Sequence, residues 1–169
     1  MDLTKTLVIG NSGSGKSWLS ERIANHLNAA WVDLDLIHWH PGGYDVARLR
    51  EDAIQLARKA ADAERWVIEG IYGRLVGEVQ SNATALVWLC LDEAECMVNI
   101  QQRGIRRGGS EESFAALLRW AETYRVREGS SSYAAHEVIF NSFAGAKKCL
   151  RDRNEITNFV NFSADERAG

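Results

Sequence analysis

The feature that most constrains this chain is the segment LVIGNSGSGKSWLS, at residues 7–20. It contains a complete GxxxxGK[ST] match from Gly10 to Ser17, between a short apolar run and an amphipathic run. Glycines at 10, 13 and 15 permit backbone conformations that a Cβ forbids, so consecutive N–H groups can turn toward one anion. A flexible glycine-serine turn would need neither the lysine nor a helix start. The pattern therefore predicts a cup for the phosphates of a nucleoside triphosphate.

The loop also predicts a division of roles among its residues. The positive end of the following helix adds to the field of the backbone amides. Lys16 is expected to reach the β and γ phosphates as a point charge, and the Ser17 hydroxyl to hold Mg²⁺. ATP and Mg²⁺ are thus the predicted cofactors. The predicted nucleotide-binding residues of the loop are Gly10, Asn11, Ser12, Gly13, Ser14, Gly15, Lys16 and Ser17.

Beyond the loop, short apolar runs alternate with helical patterns. Several of these runs lack the period-two alternation of a half-exposed strand, which favours an α/β fold with a parallel sheet covered by helices on both faces. Ligands of such sheets bind beyond the carboxyl ends of the strands. The tryptophans within the runs, Trp31, Trp66 and Trp88, are predicted core residues. The predicted strands are residues 6–10, 29–35, 65–70, 84–92 and 147–152, and the main predicted helices are residues 16–27, 46–63, 94–102, 114–127, 133–143 and 154–162.

Four acidic residues fall at the ends of predicted strands. Asp33 and Asp35 are candidate catalytic residues: one would hold Mg²⁺ through water, a role we give to Asp33, while the other accepts the proton of an attacking hydroxyl. The pattern leaves open which is the base, and one of them could be only the N-cap of the next segment. Glu69 is expected to order metal-bound water or to contact the acceptor, with a solvated loop position as the alternative. Asp92 is expected to cap the next helix.

Phosphoryl transfer also requires mobile positive charge near the transferred group. The segment RGIRRGG supplies Arg103, Arg106 and Arg107 beside glycines that can hinge, and we expect a short lid near residues 103–127. Arg103 and Arg107 are the candidate catalytic residues of this segment. The alternative is a solvated basic surface.

Two further residues are assigned to the acceptor. Arg74, in EGIYGR, is a candidate contact, and so is Trp39, in IHWHPGG, which can stack on a flat group. Together with Asp35 and Glu69 they form the predicted acceptor site. The neighbouring His38 and His40 lack a third ligand, so a metal site there is the weaker interpretation.

Composition limits the classes of protein to consider. The chain has 169 residues, 46% of them hydrophobic, which suits one domain over residues 1–169. Its net charge of −3 argues against direct nucleic-acid binding, and no segment approaches the roughly 18 apolar residues of a membrane span. The three cysteines form no CxxC pair, so we expect reduced thiols and a cytoplasmic location.

The order of several motifs resembles that of the small adenylate-kinase-related proteins, some of which are named for modulation of DNA topology. The matching segments are the phosphate-binding loop, LDLIHWHPGG, RWVIEGIYGR, LVWLCLD and CLRDRNEITNFV. The resemblance implies a three-layer P-loop domain of the nucleoside-kinase type, with a five-stranded parallel sheet in the order 2-3-1-4-5. It also implies that Arg153, in RDRN, lies near the adenine of ATP.

These features together predict a small-molecule kinase. Its reaction would be Mg²⁺-dependent transfer of the γ-phosphoryl group of ATP to a small-molecule acceptor, with a nucleoside or nucleotide as the expected class. The GTPase motifs DxxG and NKxD are absent from the sequence. The alternatives are a nucleotide-responsive regulator or slow NTPase with a protein or nucleic-acid partner, and a protein that binds nucleotide without turnover.

Overall fold

Five parallel strands form one sheet in the order β2-β3-β1-β4-β5, the order that the resemblance implied. The structure is a computed structural model that describes residues 1–41, 46–106 and 108–165, with side chains as far as residue 161. Strands β1, β3 and β4 are buried over nearly their whole length. The strands are β1 (Lys5–Gly10), β2 (Ala30–Asp33), β3 (Trp66–Gly70), β4 (Ala85–Leu89) and β5 (Ala146–Leu150).

Helices connect the strands and cover both faces of the sheet. The helices are α1 (Lys16–Leu27), α2 (Leu34–His38), α3 (Arg50–Ala60), α4 (Gly73–Val79), α5 (Glu93–Arg103), α6 (Glu111–Glu122), α7 (Tyr133–Ser142) and α8 (Arg153–Asp165), with a 3₁₀ turn at Gln80–Asn82. Neither α2 nor α4 is predicted by the sequence pattern. These helices have 5 and 7 residues, too few for an apolar period to stand out. In the described parts of the chain, no helix is both long enough and apolar enough to cross a lipid bilayer.

Two apolar cores make the fold three-layered. On one face, Leu7 and Ile9 of β1 pack with residues of α2, α3, α4 and α7. On the other face, Val8 packs with residues of α1, α5 and α8. Successive side chains of a strand point to opposite faces, so an uninterrupted apolar run such as β1 supplies both cores. The predicted α/β fold is confirmed.

The strand registers bring the carboxyl ends together at one edge of the sheet. Gly10 pairs with Leu89, the residue before it pairs with Gly70, and Asp33 pairs with Glu69. The predicted phosphate-binding loop and the acidic residues therefore follow neighbouring strands at the same edge, as expected for a parallel α/β sheet.

Two predictions about β2 were wrong. The strand ends at Asp33 rather than Asp35, because the Asp33 carboxylate accepts a hydrogen bond from the Asp35 N–H at 2.9 Å and caps α2. Asp35 therefore lies in the first turn of a helix. Trp31 is 44% exposed, since β2 is an edge strand, whereas Trp66 and Trp88 are core residues as predicted.

Candidate active site

The backbone between β1 and α1 has the left-handed conformations that the glycine pattern predicts. The φ angles of Gly10, Gly13 and Gly15 are +148°, +78° and +94°. A Cβ on Gly10 would lie 2.4 Å from the Leu89 carbonyl oxygen, and one on Gly13 would lie 2.3 Å from that of Cys96. At Gly10 and Gly13, glycine is thus required by both conformation and space.

Side chains of the loop are tied to the loop itself and to α6. The Lys16 ammonium donates to the Asn11 carbonyl oxygen at 2.8 Å, and Lys16 is only 9% exposed. The Asn11 amide donates in turn to the Ala121 carbonyl oxygen at 2.7 Å. The Ser14 hydroxyl is buried and has no hydrogen-bond partner among the described residues. A buried polar atom without a partner costs free energy, which fits a loop shaped for a polar ligand.

One cavity of about 710 Å³ joins this loop to the strand ends. Its walls include residues from both halves of the predicted site. The predicted site residues that line it are Ser12, Gly13, Lys16, Ser17, Asp33, Asp35, Trp39, Glu69, Arg74 and Arg103. Arg106 lines it as well, while Arg107 lies outside the described residues.

Ser17, Asp33 and Glu69 line the cavity at the junction of the two halves. The Ser17 hydroxyl donates to Glu69 Oε1 at 2.6 Å, and Asp33 pairs with Glu69 in the sheet. Burial raises the pKa of Glu69 to about 7; Lys16 opposes the shift and Asp33 adds to it. A hydroxyl and two carboxylates are hard oxygen ligands, so these residues fit Mg²⁺ beside a bound phosphate.

A chain of hydrogen bonds holds Asp35 in the other half. The Trp39 indole N–H donates to the Tyr72 hydroxyl oxygen at 2.9 Å, and the Tyr72 hydroxyl donates to Asp35 Oδ1 at 2.7 Å. The His38 ring stacks on Tyr72 with 4.3 Å between centroids. Burial and the Asp35 charge keep the pKa of Tyr72 above its usual value, so Tyr72 remains a donor. Burial also lowers the pKa of His38.

A buried histidine holds the segment that follows Glu69 and Gly70. His136 Nε2 lies 2.9 Å from the Ile71 carbonyl oxygen, and its Nδ1 lies 2.6 Å from the Tyr124 hydroxyl. Because a carbonyl oxygen only accepts, Nε2 carries the proton and Nδ1 accepts from Tyr124, whose oxygen accepts from the Trp88 indole at 3.1 Å. Burial lowers the pKa of His136 to about 4. The network joins β4, α7 and the acceptor side of the cavity.

Arg153 does not line the cavity. Its guanidinium bonds Glu95 Oε1 at 2.7 Å and also contacts Asn99, whose amide donates to the Gly13 carbonyl oxygen at 2.8 Å. Arg153 is thus connected to the loop through one intervening side chain, and its place near adenine stays a prediction.

The predicted cap of α5 is confirmed, since the Asp92 carboxylate accepts from the Ala94 N–H at 2.9 Å.

Comparison with protein-family models and with curated proteins gives no match. Solved structures do match over nearly the whole chain. A gluconokinase from Sinorhizobium meliloti 1021 aligns with a TM-score of 0.58 and 16% identity, covering 99% of this chain and 94% of its own. A shikimate kinase from Acinetobacter baumannii, in complex with shikimate, aligns at 0.57 and 12%, covering 98% and 96%. YorR from Bacillus subtilis, in complex with phosphorylated GDP, aligns at 0.54 and 13%, covering 96% and 97%.

The chain has the fold of small P-loop kinases. At these identities the likeness concerns the fold alone, so activity must be argued from the cavity.

Several residues at or behind the cavity were not predicted as site residues. The sequence could have indicated Tyr72, because it stands between two predicted site residues, Glu69 and Arg74. Nothing in the sequence indicated Asn99 or His136, since a helical asparagine or histidine usually has no ligand-related role. Arg48 and Arg50 also line the cavity, and they follow the segment IHWHPGG, which holds the predicted acceptor residue Trp39.

Proposed function

We propose that this chain is an ATP- and Mg²⁺-dependent phosphotransferase, related to the adenylate-kinase-like small kinases, that phosphorylates a small-molecule acceptor. The observation that carries the proposal is a single cavity with a phosphate cup at one end and a positioned carboxylate at the other. A slow NTPase needs only the first of these. The presence of Asp35, Tyr72 and Trp39 in the same cavity therefore favours transfer to a second ligand. A nucleoside or nucleotide remains the expected acceptor class.

The donor is held chiefly by backbone. Amides of residues 11–17 and the start of α1 would surround the phosphates, with Gly10 and Gly13 keeping the loop open for them. Lys16 now donates to the Asn11 carbonyl, and a triphosphate would offer it phosphate oxygens instead. Because Lys16 is already held inside the loop, little ordering of its side chain accompanies binding.

Mg²⁺, when bound, would draw charge from the phosphate oxygens and so make the γ phosphorus easier to attack. Ser17 and Asp33 are the residues proposed to hold it, with Glu69 beside them. Glu69 is partly protonated near neutral pH, and a nearby cation would favour its ionised form.

Asp35 is proposed to accept the proton of the acceptor hydroxyl. As the acceptor oxygen forms its bond to the γ phosphorus, the bond to the bridging oxygen breaks and ADP leaves with that electron pair. The hydrogen bond from Tyr72 fixes the orientation of the carboxylate. Arg103 and Arg106, at and after the end of α5, would neutralise the transferred group, a role also predicted for Arg107. Segment 103–127 is proposed as the lid that excludes water.

Lys16→Ala tests the nucleotide site. The variant should lose ATP binding and turnover while unfolding at about the same denaturant concentration as the wild type, because the hydrogen bond that the Lys16 ammonium makes to the described residues stays within the loop. Lys59→Ala, on α3 and outside the cavity, is the matched control. Unchanged nucleotide affinity in Lys16→Ala would refute the site.

Release of ADP across a panel of nucleosides, nucleotides, sugars and shikimate-like acids tests the transfer itself. A kinase forms ADP at a rate that depends on one class of acceptor. A regulator or slow NTPase would release ADP at the same low rate with every compound, and that result would contradict the proposal.

A further inference from the structure

The charge of the cavity differs from that of the whole chain. The chain carries a net charge of −3. The cavity, by contrast, is lined by more cations than carboxylates. The cations are Lys16, Arg48, Arg50, Arg74, Arg103 and Arg106, and the carboxylates are Asp33, Asp35 and Glu69.

These cations belong to two groups. Lys16, Arg103 and Arg106 come from the phosphate-binding loop and from the end of α5, where the triphosphate is proposed to bind. Arg48, Arg50 and Arg74 come from the other half, and Arg48 is already bound to backbone, donating to the Ile37 carbonyl at 3.0 Å. Arg50 and Arg74 are therefore the cations of the acceptor half that remain to be explained.

The arginines at the two ends of the α3–α4 pair differ in whether they have an acidic partner. Away from the cavity, Arg58 of α3 pairs with Glu78 of α4 at 2.6 Å. At the cavity, α3 begins with Arg50, and α4 has Arg74 as its second residue. In the described residues neither of these two arginines has a hydrogen bond or ion pair to protein. Both guanidinium groups are exposed and line the same cavity, so an anionic group bound there would accept hydrogen bonds from them.

Near Asp35, the acceptor must present a group other than an anion. Asp35 is held by Tyr72 at the position proposed for proton acceptance. A phosphate oxygen acting as the attacking atom carries no proton to remove at neutral pH and would be repelled by this carboxylate. The attacking atom is therefore best supplied as a hydroxyl, and the anionic group must be a separate part of the same molecule. Buried Ala53 and Leu75 line the cavity on the same two helices, which suits a compact apolar face.

We propose that the acceptor is a hydroxyl compound that also carries a carboxylate or phosphate group, and that Arg50 and Arg74 bind that group. This inference rests on the proposed kinase function and narrows its acceptor. It predicts that nucleotides are better acceptors than nucleosides, and that sugar acids or sugar phosphates are better acceptors than sugars. It also predicts a phosphate ester on the former hydroxyl rather than a phosphoanhydride.

Matched pairs of compounds test the proposal. The pairs are gluconate with glucose, shikimate with its methyl ester, ribose 5-phosphate with ribose, and adenosine monophosphate with adenosine. The anionic member of at least one pair should have a kcat/KM about 100-fold above that of its neutral partner, since each arginine contact to an anion contributes about 10-fold or more. The carboxylate and phosphate pairs separate the two anion types, and ³¹P NMR of the product identifies ester or anhydride.

Arginine variants connect the preference to these two side chains. Arg74→Gln and Arg50→Gln should each lower kcat/KM for the anionic member by about 10- to 100-fold, mainly through KM, and lower it much less for its neutral partner. Arg58→Gln, on α3 but outside the cavity, is the matched control and should change neither.

The outcomes separate this inference from the kinase proposal itself. Neutral members that react as well as anionic ones, acceptance of no anionic member, a phosphoanhydride product, or equal losses for both members in the arginine variants would each overturn it. In all of these cases, a loss of nucleotide affinity in Lys16→Ala would still support the nucleotide site. Failure of the proposed function is seen instead as unchanged affinity in Lys16→Ala.

Discussion

The two halves of the cavity are built from different kinds of structure. The half proposed to bind phosphate uses residues 10–17, in which backbone conformation matters most and Gly10 and Gly13 leave no space for a Cβ. The acceptor half gathers side chains from α2, the start of α3, the end of β3 and α4. A phosphate is the same in every nucleotide, so a backbone cup suits it, while acceptors differ and need replaceable side chains. The comparison predicts that the two halves fail separately when altered.

The largest effect is expected from Asp35→Asn, which alters only the acceptor half. An amide cannot accept the hydroxyl proton, so transfer should fall about 10²- to 10⁴-fold. ATP affinity should be unchanged, because Asp35 follows a strand other than the one that leads into the loop. Rates of product formation and a nucleotide titration measure the two quantities.

Asp62→Asn, an exposed site after α3, is the control for that substitution. Full transfer activity in Asp35→Asn would remove Asp35 from the catalytic residues, and a parallel loss of ATP affinity would show that the halves are not separable.

Gly13→Ala should damage the phosphate-binding half without removing any functional group. The new methyl group would lie 2.3 Å from the Cys96 carbonyl oxygen, at a φ of +78° that disfavours alanine. The loop must shift to relieve this contact, and we expect ATP affinity to fall by about 100-fold, or about 3 kcal/mol. Calorimetric titration with ATP and Mg²⁺ gives the value.

Gly77→Ala provides the comparison, because a Cβ at this position of α4 meets open space. It should leave ATP affinity unchanged and slightly raise stability through helix propensity. Wild-type affinity in Gly13→Ala would contradict the claim that backbone geometry makes the cup.

The same difference explains how much could be predicted from sequence. The loop conformation was predictable because eight consecutive residues determine it, and the glycines at 10, 13 and 15 have the positive φ angles that their spacing indicated. The sheet was predictable in kind from apolar runs, but its strand order came only from a resemblance. Asp35 lines the cavity, but the sequence pattern put it in the wrong element, since the cap by Asp33 depends on where the strand stops.

Contacts between distant segments left no local signal. The bond from Asn99 to Gly13 and that from His136 to Ile71 join residues 86 and 65 positions apart. Neither residue type is unusual on a helix, and nothing in the adjacent sequence indicates its partner. Such contacts depend on the packed fold, which short-range patterns do not specify.

Glu69 lies at the boundary between the halves, and Glu69→Gln tests its environment through the pH dependence of the free energy of unfolding. The pKa of Glu69 rises from its ordinary 4.5 to about 7 in the folded protein, mainly by burial. Between these values the folded state holds a proton that the unfolded chain has released, so this group's contribution to stability declines as pH rises through the window, by up to about 3 kcal/mol.

The variant keeps an oxygen for the Ser17 hydroxyl and does not titrate. Relative to the wild type, it should therefore gain stability from pH 5 to pH 8 in urea unfolding without ligands. The difference between the two proteins cancels the opposite contribution of His136, whose lowered pKa favours higher pH. A difference that is constant with pH would show that Glu69 is ionised throughout, as an exposed carboxylate would be.

The smallest effect is expected from Tyr72→Phe, which removes one hydrogen bond to Asp35 and keeps the ring that stacks on His38. Loss of a bond to a charged group costs about 1.5 to 3 kcal/mol when no water replaces it, and less in an open cavity, so kcat should fall about 5- to 10-fold. If Tyr72 acts by orienting Asp35, the substitution has no further effect on kcat in the Asp35→Asn background. An equal loss in both backgrounds would mean that Tyr72 contacts the acceptor independently, and the acceptor half would then contain two separate contacts instead of one positioned base.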